Sequence, residues 1–395
     1  MKINYTQIKS PITPINSDHV QSFLTEIEKA GYFTLEQCSL GEYGRSDFCL
    51  IYIMTGGTEG IFLENFEVLS EKPCYLLTSG ESNSLAASME ILSYLRSRGY
   101  RGEILHGSAQ RIADRINSLY RTDKLLKKLN GAKVGTIGGS SDWLIDSEPD
   151  EEAYQKMLGI ETVHISMQEL LDEIGKGGYQ PNSWTEKLLS LGYNKTEMEK
   201  SLNVYGAIKR ITEKYGLSAV TVRCFDLLTT VHTTGCLALA ILNAEGTYAG
   251  CEGDMPSLIS MIILGEISQQ PVFMCNLNRI DTESNEMIFA HCTLPVNMPY
   301  EMSLTTHYES GIGVAIAGSI PEEDFTIFKL SGDLSNCFAS EGKIIENRRD
   351  PNLCRTQIKV KLPHYEYFLT NPIANHHVIC LGKHQRALED FYRSI

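Results

Sequence analysis

Three acids and a histidine carry the chemistry that this sequence offers: Asp226, Glu252, Asp254 and His376. Two carboxylates and one imidazole make an oxygen-rich donor set that suits Mn²⁺ or Mg²⁺. Carboxylates beside such an ion can also take and return a proton. The local pattern places them usefully. Glu252 and Asp254 follow a short apolar stretch, residues 247–251, and precede a helix opened by Pro256 and filled with Leu258, Ile259, Met261, Ile262 and Ile263. Asp226 closes a second apolar stretch, residues 217–225, and the segment between them, 235–243, reads as a helix stopped by Asn243 and Gly246. Strand, helix, strand is a βαβ unit, whose right-handed crossover makes the strands parallel. Both acidic strand ends then lie on the sheet edge where open α/β sheets bind ligands, so Asp226 is expected to face the Glu252/Asp254 pair. Asp254, two residues before Pro256, also occupies an N-cap position. A carboxylate has two oxygens, and capping with one leaves the other for a metal.

Asn375, His376 and His377 precede an apolar strand. Neighbours in extended backbone point to opposite sides, so only one of the two histidines can face a given site. His291, in the run AHCT, is open to two readings, a partner for a substrate hydroxyl or a satisfied core histidine.

The elements that must position these residues fall into three stretches. Residues 1–131 alternate strand and helix: a helix at 19–30, a strand apolar on both faces at 47–54, another at 73–78, the helix 85–99, a strand at 102–106 and the helix 109–129. That alternation is the α/β class, with a parallel sheet. Residues 132–268 form a second α/β domain that carries the acids. Its loop 138–142 is glycine-rich and suits either ordinary turn chemistry or a cradle for a phosphate or sulfonate, although it lacks the spacing of a nucleotide loop. From 269 to 395 short strands that alternate apolar with polar point to an antiparallel, barrel-like domain carrying the histidines. The expected fold is thus two Rossmann-like parallel-sheet domains followed by a β-rich C-terminal domain.

Composition narrows the partners. A net charge of −14 and a pI near 5.2 argue against nucleic acid and against an anionic membrane surface. No apolar run approaches the roughly 20 residues that span a bilayer, and the N-terminal segment lacks the apolar core of a signal peptide, so a cytoplasmic protein is expected. Eleven cysteines, odd in number and without a C-x-x-C pair, read as reduced apolar residues rather than a disulfide framework.

TVRCFDLL (221–228), AGCEGDM (249–255), AHCTLP (290–295), NHH (375–377) and LGKH (381–384) together resemble the landmarks of the L-fucose/L-arabinose isomerase superfamily, over residues 133 to 384. The resemblance implies a Mn²⁺-dependent aldose–ketose isomerase, a homotrimer or homohexamer whose site is completed by a neighbouring subunit. It puts Asp226 on a metal-binding acid that also moves protons, Asp254 on the second acidic ligand with Glu252 as the near alternative, and His376 on the histidine ligand. Arg223, His291, Asn375 and His377 are then candidates for substrate binding. One position departs from the family pattern: the first acid is usually Glu, and Asp226 is one methylene shorter, enough to move the ion or interpose a water.

The implied chemistry shifts a sugar carbonyl from C1 to C2 through a cis-enediol. The sugar itself stays open. The loops 56–60, 79–84 and 138–142 are rich in hydroxyl and backbone donors, so an anionic sugar of the sulfoquinovose type rivals a neutral deoxyhexose or pentose. Two other classes fit the same residues: a non-catalytic sugar-binding protein, and a metal-dependent aldolase or dehydratase working on a related enediolate.

Overall fold

The computed structural model describes residues 1–395, which divide into two units, Met1–Lys124 and Leu125–Ile395. In the first unit five strands, β1 (Lys2–Ile8), β2 (Thr34–Gln37), β3 (Cys49–Ile53), β4 (Cys74–Leu77) and β5 (Gly102–Leu105), form one sheet. They run parallel in the order β2-β1-β3-β4-β5. This is a doubly wound order whose direction reverses between β1 and β3. Apolar side chains fill both faces. Leu50 and Tyr52 face one core with Ile112 and Ile116, whereas Ile51 and Ile53 face the other with Phe62 and Ile91. β1 and β2 are not among the strands expected from the sequence. In β1 the polar Asn4, Thr6 and Gln7 interleave with the apolar positions and hide a strand that lies inside the sheet.

The second unit opens with four more parallel strands, β6 (Lys133–Ile137), β7 (Glu161–Ile165), β8 (Ala219–Val222) and β9 (Tyr248–Cys251), in the order β7-β6-β8-β9. The βαβ unit of the sequence reading is present: β8 and β9 are adjacent and parallel, joined through the helix Cys236–Ala244. Beyond the helix Met255–Ser268 come β10 (Phe273–Asp281), β11 (Glu286–His291), β12 (Glu301–Thr305), β13 (Ala315–Ser319), β14 (Asp324–Leu330), β15 (Cys337–Arg348), β16 (Thr356–Lys361) and β17 (His376–Leu381). Six of these close an antiparallel barrel in the order β10-β11-β16-β15-β14-β17, and β12 pairs with β13 in a separate two-stranded sheet. The sequence reading named neither β12 nor β15. In β15 a register shift between Ile344 and Glu346 breaks the two-residue alternation.

The Met255–Ser268 helix links sheet and barrel. It is apolar all round, which in a soluble protein means burial on every side. Thirteen of its residues are buried, and it packs against β8 and β9 as well as β14 and β17. One apolar cluster therefore runs from Val134 and Val220 through Leu258 and Ile262 to Phe325 and Val378. Residue 268, where a domain boundary was expected, lies inside this unit. No helix is long and apolar enough to cross a membrane, and all eleven cysteines are free.

Candidate active site

The turn after β9 sets the geometry. Glu252 has φ of +62° and Gly253 of +72°, two successive left-handed residues. For glutamate this conformation is uncommon and has to be held by its surroundings. Gly253 has no substitute, because a Cβ there would lie 2.0 Å from the carbonyl oxygen of Gly139. The glycine-rich loop 138–142 holds the turn from the other side: Ser141 N–H donates to the Glu252 carbonyl (2.9 Å) and Ser140 Oγ to that of Gly253 (3.2 Å). Trp143 Nε1 donates to the Glu252 carboxylate at 2.5 Å. Trp143 was not singled out from the sequence, where it is simply the residue after this loop.

Asp254 caps the Met255–Ser268 helix, as its position before Pro256 requires. Oδ1 accepts from Ser257 N–H and Oδ2 from Ser257 Oγ, both at 2.8 Å. Oδ2 also accepts from His376 Nδ1 at 2.9 Å and lies 3.6 Å from Lys329 Nζ. Asp254, Lys329 and His376 are fully buried. Burial would raise the Asp254 pKa, but the lysine and the imidazole outweigh it and hold the carboxyl well below its usual range. Burial lowers the pKa of Lys329 against the pull of Asp254. Lys329, like Trp143, is not among the residues that the sequence points to. It sits in the strand DFTIFKL, where its charge alone suggests a solvent-facing position, yet the two-residue alternation puts it on the buried face of Phe325 and Ile327, and its Nζ donates to Ser257 Oγ at 2.6 Å inside the core.

His376 stands between the two acids of the turn. Its Nδ1 is engaged by Asp254, and its Nε2 lies 3.4 Å from Glu252 Oε1, within ion-pair reach but without a well-formed hydrogen bond. Burial disfavours the imidazolium, but the two carboxylates more than offset it and raise the pKa to about 9. His291 closes the group. Its ring lies 5.5 Å from that of His376, centroid to centroid, its Nδ1 meets Thr293 Oγ1 at 2.9 Å, and burial lowers its pKa to about 3. Donor atoms of Cys251, Glu252 and His291 lie within 4.8 Å of one another. The Cys251 thiol, 3.0 Å from Cys224 Sγ, is pushed well above its usual pKa first by that contact and then by burial.

The sequence candidates thus separate into groups. Glu252, Asp254, His376 and His291 come together. Asp226 begins a short helix, Asp226–Thr230, with its side chain 38% exposed and paired to Arg223 Nε at 3.2 Å. Arg223 also grips Asp142 (2.9 Å) and donates to the Ser140 carbonyl (2.6 Å), which ties Asp226 to the loop that braces Glu252. Asp226 shares no hydrogen bond or ion pair with Glu252, Asp254 or His376. His377 points away from His376, as extended backbone dictates, into a pocket of Phe338, Tyr367 and Phe368, with Nε2 3.0 Å from Tyr367 Oη. Asn375 turns its Oδ1 onto the backbone N–H of His376.

No family model matches the chain. Two proteins named sulfoquinovose isomerase are similar to it, one from Priestia aryabhattai and one from Priestia megaterium. Each is 25% identical over 264 residues, which cover 63% of this chain. The chain spans 59% of the length of either relative.

Proposed function

We propose that this chain is a metal-dependent aldose–ketose isomerase acting on a monosaccharide through a cis-enediol. The observation that carries the reading is the fully buried His376, whose Nδ1 is fixed by Asp254 and whose unpartnered Nε2 faces Glu252 at a parallel sheet's C-terminal edge. A carboxylate behind a histidine, fixing its tautomer and leaving the other nitrogen open, is the arrangement that supports a metal-binding imidazole. A buried imidazole nitrogen without a partner is costly unless something binds it.

The types of donor gathered here suit a divalent ion. Glu252 and His376 Nε2 would hold it with His291 beside them, and Asp254, its oxygens already engaged by Ser257, His376 and Lys329, would stand behind as the positioning acid. One carboxylate with two imidazoles favours Mn²⁺ over Mg²⁺. The ion would supply Lewis acidity toward the adjacent C1 and C2 oxygens of the sugar. The protein supplies the rest. Glu252 is kept ionised by His376 and Trp143 against the cost of its burial. Asp226, partly open to solvent and oriented by Arg223, is the carboxylate suited to carrying a proton between C2 and C1. Trp143 and Phe225, ring centroids 4.8 Å apart, form an apolar wall beside Glu252. Ile145 is 91% exposed and Trp143 50%, apolar surface that a neighbouring copy in a homotrimer or homohexamer would cover.

The relatives' name supports a sulfonated sugar as the first substrate to try. The test is a panel of neutral and anionic aldoses with Mn²⁺, read out as ketose and as exchange of the C2 proton with solvent. Ketose that appears with Mn²⁺ and disappears after chelation is expected. Cleavage products, or binding without exchange, would replace the isomerase with an aldolase or a sugar-binding protein.

A further inference from the structure

Arginines beside this group of acids and imidazoles differ in what already neutralises them. Arg223 is held by two carboxylates, Asp142 and Asp226. Arg355 has none: its Nε donates to the Thr306 carbonyl at 2.7 Å, its Nη2 to Thr306 Oγ1 at 3.1 Å, and its guanidinium lies 5.6 Å from the centre of the Tyr308 ring. A half-buried guanidinium, fixed by neutral partners and carrying an unbalanced charge, is poised for an anion.

Its position ties it to the candidate site. Arg355 immediately precedes β16, and the next residue, Thr356, stands opposite His291 in the β11–β16 register. The loop that holds its guanidinium, Thr306 to Tyr308, also carries His307. The His307 ring packs 5.6 Å from Phe225, next to Trp143 and hence Glu252. His307 senses both ends: burial lowers its pKa most, Arg355 lowers it further, and Glu252 opposes. Glu252 and Arg355 are thus both near His307, and the guanidinium of Arg355 has no carboxylate in an ion pair with it.

We propose that Arg355 binds the anionic end group, a sulfonate or phosphate, of the sugar whose carbonyl end lies at Glu252 and His376. The inference rests on the isomerase reading and adds to it the residue that selects the substrate. Two parallel N–H donors of a guanidinium match two oxygens of a tetrahedral anion, and Tyr308 keeps the plane oriented. Arg223 cannot serve in this way, because an approaching anion would meet Asp142 and Asp226 first.

The experiment compares a 6-sulfonated aldohexose, a 6-phosphorylated one and the neutral aldohexose in wild type, Arg355→Gln and Arg355→Lys. Arg355→Gln should lower the preference for anionic over neutral sugar about 10- to 100-fold, the span of a charge-assisted hydrogen bond. The loss should fall in KM rather than kcat, with Arg355→Lys between the two. The sulfonated and phosphorylated arms show which anion the guanidinium fits. In wild type, inorganic sulfate should compete with the neutral sugar. An equal loss for charged and neutral sugars, or a loss confined to kcat, overturns the proposal, as does wild type that shows no preference together with no inhibition by sulfate. A binding arm separates the two readings: if no sugar is isomerised, the isomerase reading fails. The Arg355 assignment is then decided by whether the sulfonated sugar raises the melting temperature of wild type more than that of Arg355→Gln.

Discussion

The molecule contains two parallel sheets whose C-terminal edges have been put to different use. In the first unit the edge is lined by hydroxyls that satisfy one another: Ser10 N–H donates to Thr55 Oγ1 (2.8 Å), Thr58 Oγ1 to the Thr55 carbonyl (3.0 Å) and Thr78 Oγ1 to Ser84 Oγ (2.7 Å). These groups are buried and neutral. In the second unit the matching edge buries charge: Glu252, Asp254, Lys329 and His376, with one imidazole nitrogen left unpartnered. A closed set of neutral hydrogen bonds stabilises turns and asks nothing of a ligand. Buried charges on a strained turn are costly to keep, which is the usual mark of a functional site. The same sheet geometry thus carries satisfied neutral hydroxyls in one unit and buried charge in the other.

The largest test of that contrast is Asp254→Asn. It leaves Lys329 in the core without its counter-ion and His376 with Glu252 alone, and should destabilise the protein by about 3–5 kcal/mol in urea unfolding. A loss below about 1 kcal/mol would show that the cluster does not carry buried charge. Next is Glu252→Gln, which keeps the shape and the Trp143 contact but removes the charge that faces His376 Nε2. Sugar isomerisation should drop by about 10²- to 10³-fold, about 3–4 kcal/mol in the barrier, with a smaller loss of stability than Asp254→Asn because His376 keeps Asp254. Retained turnover would move the chemistry to another acid.

Protonation sharpens the contrast within a single strand. His377, lowered to about 3 mainly by burial, stays neutral when folded, so between pH 6.5 and 3 the unfolded chain binds more protons and stability falls on acidification. His376 is raised to about 9, so its contribution is complete below pH 6.5 and is lost as pH rises through 9. Each slope is at most about 1.4 kcal/mol per pH unit in metal-free protein. His377→Gln should flatten the acid limb and His376→Gln the alkaline limb; identical profiles for the two variants would contradict the opposed environments. The smallest effect belongs to the neutral edge: Thr78→Val should cost only about 1 kcal/mol. A cost matching Asp254→Asn would erase the distinction between the two edges.

Part of this architecture is legible in the sequence alone. Local rules decided the strand, turn and helix around Glu252 and Asp254, the cap on that helix, and the opposite orientations of His376 and His377. Each depends on residues only a few positions apart. Elements whose pattern is locally broken escaped notice, as β15 did with its register shift and β1 with its interleaved polar residues. Expectations about which acid meets which partner fared differently. Asp226 was expected to face the Glu252/Asp254 pair; β8 and β9 do lie side by side and parallel, and the partner the sequence did not indicate for Asp226 is Arg223.

By itself the sequence determined the chemical inventory of this protein, the α/β class of its first two-thirds and the β-rich character of the rest, because periodicity and capping act over a few residues. Only the tertiary structure decided that Lys329 points inward to Asp254, that His376 reaches across 122 positions to the same carboxylate, and that Arg355 has no acid of its own. Those pairings are fixed by barrel closure and by the buried Met255–Ser268 helix. Contacts between distant segments follow from how whole faces pack, and no short stretch of the sequence encodes that.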